Sequence, residues 1–234
     1  MKLCVIPARG GSKRIPRKNI RDFAGKPIIA WSIEAALATS LFDRVLVSTD
    51  DAEIAAVAQA HGADVPFLRP RELADDHTGT NAVVKQAIQW HRDQGLAVEV
   101  ACCLYATAPF AQARYLRLGH EKLLVSDKAF VFSVTRYDFP VQRALRLNAA
   151  GEVEALYPAY SQTRSQDLEP AYHDAGQFYW GRAEAFLGDA ILFSSVSLPV
   201  ILPSHLVQDI DTEEDWQRAE LMFAALRASG ETFP

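Results

Sequence analysis

Short apolar runs recur along this chain, and longer stretches with helical spacing separate them. Runs of this length without polar interruption are typical of strands that are buried on both faces of a sheet. The predicted strands are Leu3–Ile6, Arg44–Ser48, Val100–Tyr105, Ala129–Thr135, Gln177–Trp180 and Ser197–Leu202. The predicted helices are Pro27–Ala38, Ala52–His61, Thr80–Gln94 and Glu213–Ala228.

Residues at the helix ends support three of the predicted helices. Pro27 suits the first position of a helix, because its missing N–H would have no helical partner there. Asp51 is a candidate N-cap for the second helix, and Gly62 follows the end of that helix. Thr212 is a candidate N-cap for the last helix, with Asp215 at the third helical position.

The alternation of strands and helices predicts an α/β fold, in which a mainly parallel, Rossmann-like sheet carries helices on both faces. In sheets of this kind, ligands bind beyond the carboxyl ends of the strands. Three segments fall at such ends: Arg9–Asn19, Thr49–Asp50 and Ala106–Pro109. We therefore expect these segments to contribute to a ligand site.

The pattern changes after Tyr137. Phe139–Leu147 alternates like a two-stranded ribbon, and Gly151–Pro158 has the character of a turn followed by an extended segment. We predict one domain over residues 1–234, with an inserted arm over about residues 137–172. Two interpretations of the arm remain open, a dimerisation element and a plain surface excursion.

Composition narrows the class of protein. The chain is 49% hydrophobic and 23% charged, with a net charge of −5, which is ordinary for a globular protein and argues against a general nucleic-acid binder. No apolar stretch approaches the roughly 20 residues that cross a bilayer, so we expect no membrane partner. Cys4, Cys102 and Cys103 lie in apolar runs, which favours buried thiols and a cytoplasmic location.

A dense basic loop follows the first predicted strand. Between Arg9 and Lys26 there are seven cationic side chains and a single acid, Asp22. The turn Gly10-Gly11-Ser12 lets backbone N–H groups approach an anion, and the cations offset its remaining charge. The loop matches neither the P-loop nor the dinucleotide-binding pattern. A polyphosphate site is the functional interpretation, and a solvated basic turn is the alternative.

A pair of carboxylates stands far along the chain at Asp209 and Asp211. Side chains two positions apart on an extended segment project to the same side. Magnesium takes oxygen ligands and shares them with substrate phosphates, so the pair is a candidate Mg²⁺ site opposite the basic loop. Helix capping by Asp211 or Thr212 is the alternative.

A third cluster combines Arg164–Asp167 with the segment Tyr172–Gly181. Its amides, hydroxyls, guanidinium group and aromatic rings suit a polar, ring-shaped, acidic ligand. The alternative is a core strand in which the aromatic side chains only pack.

The residues Ile6–Asn19 resemble the signature loop of the CMP-sialic acid synthetases, also called acylneuraminate cytidylyltransferases. The similarity spans almost the whole chain in the order of that family. It continues through Gly25–Pro27, Val47–Asp51, Arg69–Pro70, Leu73–Asp76 and Asp209–Asp211. Within the family, Tyr172–Trp180 is most similar to the pseudaminic acid branch, and Tyr105 stands where the sialic acid branch has a glutamine.

This resemblance implies the nucleotide-diphospho-sugar transferase type of fold and a homodimer joined through the arm. The implied reaction is the transfer of CMP from CTP to pseudaminic acid, with Mg²⁺ as cofactor and pyrophosphate as second product. N-acetylneuraminic or legionaminic acid is the alternative sugar. A non-catalytic nucleotide-binding protein is the alternative from another class.

The resemblance also implies roles for individual residues. The implied CTP site comprises Ala8, Arg9, Gly10, Gly11, Ser12, Lys13, Lys18, Asn19 and Arg69, of which Asn19 and Arg69 would face the cytosine. Arg9, Lys18 and Asp211 are the implied catalytic residues, and Asp209 with Asp211 would hold Mg²⁺. The predicted sugar contacts are Tyr105, Arg164, Gln166, Gln177 and Tyr179.

Overall fold

A computed structural model describes residues 1–75 and 78–234 of the chain. The strands are β1 (Lys2–Pro7), β2 (Asp22–Phe23), β3 (Lys26–Pro27), β4 (Arg44–Ser48), β5 (Val100–Leu104), β6 (Phe130–Arg136), β7 (Leu145–Leu147), β8 (Val153–Ala155), β9 (Tyr172–Arg182) and β10 (Ser197–Leu202). The α-helices are α1 (Ile28–Ala38), α2 (Ala52–Ala60), α3 (Thr80–Asp93), α4 (Ala113–Leu124), α5 (Ala183–Leu187) and α6 (Glu213–Ala228).

A six-stranded sheet in the order β10-β6-β9-β5-β1-β4 forms the centre of the described structure. The pairs β1–β4, β1–β5 and β10–β6 are parallel, whereas β9 is antiparallel to both β5 and β6. All strands of this sheet except β9 therefore share one direction. Their carboxyl ends meet at one edge of the sheet, where the amino end of β9 also lies.

Successive residues of β1 alternate between two cores. Cys4 and Ile6 belong to the core that packs under α1, α2 and α4, whereas Leu3 and Val5 belong to the core that packs under α3 and α5. A strand buried on both faces reads as a continuous apolar run, which is the pattern that β1 presents in the sequence. The predicted α/β fold with helices on both faces is confirmed.

A third apolar cluster holds α6 against the start of the chain. In this cluster, Trp216 and Phe223 of α6 pack edge-on against Phe23. Ile15, from the basic loop, and Ile210, from the segment before α6, are both fully buried in the same cluster. Apolar packing thus brings two polar segments together that are almost two hundred residues apart.

Most predicted elements agree with the observed ones, and the residues at the helix ends explain their bounds. Asp51 caps α2 by accepting hydrogen bonds from the N–H groups of Glu53 and Ile54. Thr212 and Asp215 form a reciprocal capping box at the start of α6. Pro27, which we predicted as the first helical residue, instead occupies the N-cap position of α1 and pairs with Asp22 in the β2–β3 ribbon.

Helix α4 is absent from the prediction, and its sequence explains why. The helix begins after Gln112, whose side chain makes no capping hydrogen bond, and it contains Gly119. A Cβ at Gly119 would lie 2.7 Å from Cδ1 of Trp180, so this glycine lets the helix approach the sheet closely. The feature that weakens the helical pattern is therefore required by packing.

Residues 137–171 lie between β6 and β9 and carry the β7–β8 ribbon. All three residues of β7 are exposed. Phe139, with 85% of its surface exposed, and Leu147 present large apolar side chains to solvent. The role of this arm in dimerisation stays a prediction.

The cysteines and the helices bear on two composition-based predictions. Cys4, Cys102 and Cys103 are buried free thiols, and burial raises the pKa of each. None of the helices in the described part of the chain combines the length and apolar character that crossing a membrane requires.

Candidate active site

A cleft of about 610 Å³ lies at the edge of the sheet where the parallel strands end. Residues that follow β1 and β5 line it, together with Arg69 and Asp75 from the connection between α2 and α3 and with Asp211. The predicted segment Thr49–Asp50 does not line the cleft. Of the predicted nucleotide-binding residues, the cleft is lined by Arg9, Ser12, Lys13, Lys18, Asn19 and Arg69. The structure therefore brings most of the basic loop and one of the paired carboxylates to a single concave site.

Backbone contacts fix the first part of the basic loop against the end of β4. The N–H of Ala8 donates to the carbonyl oxygen of Ser48 over 2.9 Å, and the N–H of Gly10 donates to Oδ1 of Asp50 over 2.9 Å. A Cβ at Gly10 would lie 2.7 Å from Oδ2 of Asp51, so this approach requires glycine. At Gly11 a Cβ would have no neighbour within 4 Å. The predicted CTP residues Ala8, Gly10 and Gly11 do not themselves line the cleft.

Arg17 holds the middle of the loop. It adopts a left-handed backbone conformation with φ of 55°, an arrangement that costs free energy for a residue with a side chain. Its guanidinium group forms a two-pronged ion pair with Asp51, with Nη2 3.1 Å from Oδ1, and also pairs with Glu53. The hydrogen bond from Arg17 lowers the pKa of Asp51 to about 2.

Lys18 connects the loop to the segment before α6. Its Nζ donates to the carbonyl oxygen of Ile210 over 2.6 Å and lies 3.4 Å from Oδ1 of Asp211. Arg14 contacts the other oxygen of the same carboxylate, with Nη2 3.0 Å from Oδ2. The Asp211 carboxylate thus faces two cations of the basic loop.

Asp209 and Asp211 flank the buried Ile210 and provide oxygen donors on one segment. The residue Asp209 is exposed, yet partial desolvation of its carboxyl group and the negative charge of Asp211 raise its pKa, against the opposing effect of Lys18. In the described ranges, no cluster of three or more histidine, cysteine or acidic side chains could hold a metal ion. This pair fits a magnesium ion that takes its other ligands from phosphate oxygens and water.

Asn19 and Arg69 lie on the wall of the cleft and are largely buried. Nδ2 of Asn19 donates to the carbonyl oxygen of Arg9 over 2.9 Å, which bends the loop back on itself. Nε of Arg69 donates to Oγ of Ser48 over 3.1 Å, and Nη2 donates to the carbonyl oxygen of the same residue. Burial, assisted by the charge of Arg9, lowers the pKa of Arg69.

The predicted sugar contacts do not all lie together. Tyr105 lines the cleft, and Tyr179 lines an adjoining pocket to which Tyr105 also contributes. Gln177 is buried and lines neither cavity; its side-chain N–H donates to the carbonyl oxygen of Leu206, so it tethers the segment that leads to Asp209.

Arg164 and Gln166 lie on the exposed arm and line neither cavity of this chain. Nε of Arg164 pairs with Asp167 over 2.8 Å. Asp75, in the segment that resembles the family, lines the cleft, and its carbonyl oxygen accepts a hydrogen bond from Arg9 over 2.9 Å. Asp76 of that segment lies outside the described residues.

Sequence reasoning missed two residues with direct roles in this geometry. Arg14 is one of the seven cations between Arg9 and Lys26, but no sequence pattern indicates that it contacts Asp211. Asp174 belongs to the polar start of β9, where its Oδ2 accepts a 2.6 Å hydrogen bond from the hydroxyl group of Tyr179. The only signal for Asp174 was its place among the polar and aromatic residues of the third cluster.

Known proteins are similar to this chain in sequence and in fold. A family model described as cytidylyltransferase matches residues 3–191. The chain belongs to the cytidylyltransferase family. The family resemblance of the signature loop is therefore confirmed.

Two relatives and one solved structure define its neighbours among the cytidylyltransferases. A pseudaminic acid cytidylyltransferase from Campylobacter jejuni is 45% identical over 94% of this chain and 95% of the relative. A CMP-N,N'-diacetyllegionaminic acid synthase from Legionella pneumophila is 33% identical over 93% of this chain and 94% of the relative. The structure of a CMP:2-keto-3-deoxy-manno-octonic acid synthetase complexed with CTP matches with a TM-score of 0.68 at 17% identity, covering 96% of this chain and 98% of that one.

Proposed function

We propose that this cytidylyltransferase transfers CMP from CTP to the anomeric hydroxyl group of pseudaminic acid and releases pyrophosphate. The observation that carries the proposal is the cleft in which the basic loop faces Asp211. The choice of sugar rests on the 45% identical relative, because the relative named for a legionaminic acid product is only 33% identical.

The loop residues suit a triphosphate. Arg9, Lys13 and Lys18 line the cleft as cations, and Ser12 adds a hydroxyl group. The open backbone at Gly11 adds an N–H group that an oxygen of the chain of phosphates could reach without steric conflict. These groups would hold the phosphates in line for attack, and positioning of this kind supplies much of the rate in phosphoryl transfer.

The base of CTP would lie against Asn19 and Arg69. Both side chains are already oriented by backbone carbonyl groups, of Arg9 and Ser48 respectively. Donors and acceptors that are fixed before binding lose little conformational entropy when a ligand arrives.

Asp209 and Asp211 would hold Mg²⁺. The negative charge of each carboxylate acts on the other, which contributes to the raised pKa of Asp209, and a divalent cation would relieve this repulsion. When bound, the ion would neutralise charge that develops on the phosphates. Lys18 and Arg14 would orient the Asp211 carboxylate towards the cleft.

The reaction is a substitution at phosphorus. The anomeric oxygen of the sugar acid would bond to the α-phosphorus of CTP, and the bond from that phosphorus to the bridging oxygen would break. The proton of the anomeric hydroxyl group would pass to solvent water. Lys18, beside Asp211, would offset negative charge on the phosphates as pyrophosphate leaves. Tyr105, which lines the cleft, would contact the sugar acid.

The arm would join two copies of the chain. Its exposed apolar side chains, among them Phe139 and Leu147, form a surface that burial in a dimer would remove from water. Arg164 and Gln166 lie on this arm, so they would contact a sugar only if the arm reached over the cleft of the second copy.

Purified protein, CTP and Mg²⁺ incubated with separate nonulosonic acids would test the proposal. We expect pyrophosphate and CMP-sugar to form fastest with pseudaminic acid and to stop when a chelator removes the metal. Absence of pyrophosphate with every sugar would favour the non-catalytic alternative. A preference for N-acetylneuraminic or legionaminic acid would overturn the sugar assignment, and turnover in the chelator would overturn the metal assignment.

A further inference from the structure

Arg14 and Lys18 contact opposite oxygens of the Asp211 carboxylate, but the two cations are held differently. Nη2 of Arg14 lies 3.0 Å from Oδ2, and Nζ of Lys18 lies 3.4 Å from Oδ1. The Lys18 side chain is only 18% exposed, and its 2.6 Å hydrogen bond to the carbonyl oxygen of Ile210 anchors it. The Arg14 side chain is 66% exposed, and its ion pair within the described part of the chain is the one with Asp211. Arg14 is therefore the cation that is free to leave the carboxylate.

The backbone on both sides of this ion pair is fixed. Ile210, which precedes Asp211, is fully buried, and the N–H of Asp211 donates to Oδ2 of Asp215 over 3.2 Å. Ile15, which follows Arg14, is fully buried in the same apolar cluster as Ile210. A change of partner at Asp211 therefore requires only a rotation of the Arg14 side chain.

A divalent cation at Asp211 would compete with Arg14 for the carboxylate. Magnesium binds oxygen at about 2.1 Å, so an ion on Oδ2 would lie no more than about 5 Å from Nη2 of Arg14 in its present position. Like charges at this separation repel each other, and the double charge of the ion increases the repulsion. The two cations can share this part of the cleft once an anion lies between them.

The cleft provides that anion with a place beside Arg14. Ser12 and Lys13, the two residues that precede Arg14, line the cleft together with it. These are residues to which the proposed function assigns the triphosphate. A guanidinium group pairs with phosphate oxygens as well as with a carboxylate, so Arg14 could exchange one partner for the other.

We propose that the Arg14 guanidinium group leaves Asp211 for the phosphates of CTP when a divalent cation binds at this carboxylate. The inference rests on the proposed function, from which it takes the CTP and cation sites. Before the exchange, Arg14 keeps the affinity of Asp211 for a cation low. The incoming phosphates remove this competitor and bind both cations. Arg14 is thus a positioning residue that couples cation binding to nucleotide binding.

Arg14→Met is the decisive variant, because it should change two affinities in opposite directions. Methionine keeps an apolar stem and removes the competing charge. In calorimetric titrations of the full-length protein with Mg²⁺ alone, we expect the variant to bind the ion about tenfold more tightly than wild type. In titrations with CTP in the presence of a chelator, the variant should bind about fivefold more weakly, because the phosphates lose one cation. A merely structural role for Arg14 would weaken both ligands, and this result would overturn the inference.

Three further variants control these titrations. Arg14→Lys keeps a cation and should keep the Mg²⁺ affinity near that of wild type. Arg114 is a matched control, since its Nη2 pairs with Glu231 over 2.9 Å, its side chain is 56% exposed and it lies outside the cleft. Arg114→Met should therefore leave both affinities unchanged. Adding Asp211→Asn to Arg14→Met should abolish the gain in Mg²⁺ affinity, and a gain that persists without this carboxylate would overturn the inference.

These titrations need neither a sugar acid nor turnover, so they separate the inference from the proposed function. Failure of the proposed function would appear as no pyrophosphate with any sugar acid. Opposite shifts in the Mg²⁺ and CTP affinities would still support the exchange at Asp211 in that case. Equal Mg²⁺ affinities of wild type and Arg14→Met, or no measurable binding to either, would overturn the inference even if the enzyme turns over.

Discussion

Lys18 donates a 2.6 Å hydrogen bond to the carbonyl oxygen of Ile210 and lies 3.4 Å from the Asp211 carboxylate. This contact joins the loop that follows the first strand to the segment that precedes the last helix. Ile15 and Ile210 reinforce the connection by packing in one apolar cluster. The nucleotide loop and the candidate metal site are therefore one structural unit.

Loss of the Lys18 ammonium group should affect catalysis more than folding. Lys18→Met keeps much of the apolar stem but removes the hydrogen bond to Ile210 and the charge beside Asp211. We expect kcat/KM to fall by about 10²–10³, as for the loss of other groups that stabilise developing negative charge. Pyrophosphate release measures the effect, and thermal unfolding should shift by only a few degrees.

Lys122 offers a matched control for this substitution. Its Nζ also donates to a backbone carbonyl group, that of Pro199, over 2.9 Å, but it lies outside the cleft. Lys122→Met should therefore keep wild-type kinetics. Equal losses of kcat/KM in the Lys18→Met and Lys122→Met variants would mean that Lys18 acts through stability alone.

Gly10 and Gly11 should respond differently to alanine. A methyl group at Gly10 would lie 2.7 Å from Asp51 Oδ2 and would displace the clamp that Arg17 makes with that carboxylate. At Gly11 the methyl group meets nothing within 4 Å. We expect Gly10→Ala to lower the melting temperature, whereas Gly11→Ala should keep it and weaken CTP binding by blocking the backbone approach. Calorimetry with CTP and thermal unfolding separate the two effects.

Asp51 should contribute stability that depends on pH. Its folded pKa of about 2 lies below the ordinary aspartate value of 3.8, so its contribution is present above pH 3.8 and is lost as pH falls towards 2. Asp51→Asn keeps a side chain that can cap α2 and removes the charge that pairs with Arg17. We expect the substitution to lower the free energy of unfolding at neutral pH by an amount on the order of 1 kcal/mol, because solvent screens this partly exposed ion pair.

Urea unfolding of wild type and Asp51→Asn at a series of pH values measures this contribution. The difference in the free energy of unfolding between the two proteins should stay constant from neutral pH to about pH 5 and should shrink below pH 3.8. A difference that grows on acidification would contradict the assigned direction of the pKa shift.

The fold could be predicted from the chain because strands buried on both faces produce continuous apolar runs, as β1 does. The N-cap of α2 could be predicted at Asp51, because capping is an interaction between residues that are close in sequence. Helix α4 could not be predicted, because Gly119 weakens the helical pattern. This glycine is required by close packing against the ring of Trp180, which lies far away in the sequence. Local sequence patterns indicate local interactions such as capping, and they indicate contacts across the sheet only indirectly.

The same distinction applies to the site. Arg9, Lys18 and Asp211 could be predicted because they occur in segments with a recognisable signature. The contact between the rings of Tyr105 and Tyr179, whose centroids lie 5.2 Å apart, could not, because it depends on the antiparallel insertion of β9 between β5 and β6. Gln177 looked like a sugar contact by composition, yet its amide supports the Leu206 carbonyl group.

The exposed apolar ribbon of the arm should mediate self-association. Leu147 and Val153 are paired across β7 and β8, with 72% and 64% of their surfaces exposed. Replacing both with lysine would place charges where a dimer would bury apolar surface, so we expect a shift from dimer to monomer in analytical ultracentrifugation. Val125, 87% exposed beyond α4, is the matched control, and Val125→Lys should leave the mass unchanged. A wild-type protein that sediments as a monomer at every concentration would favour the plain surface excursion.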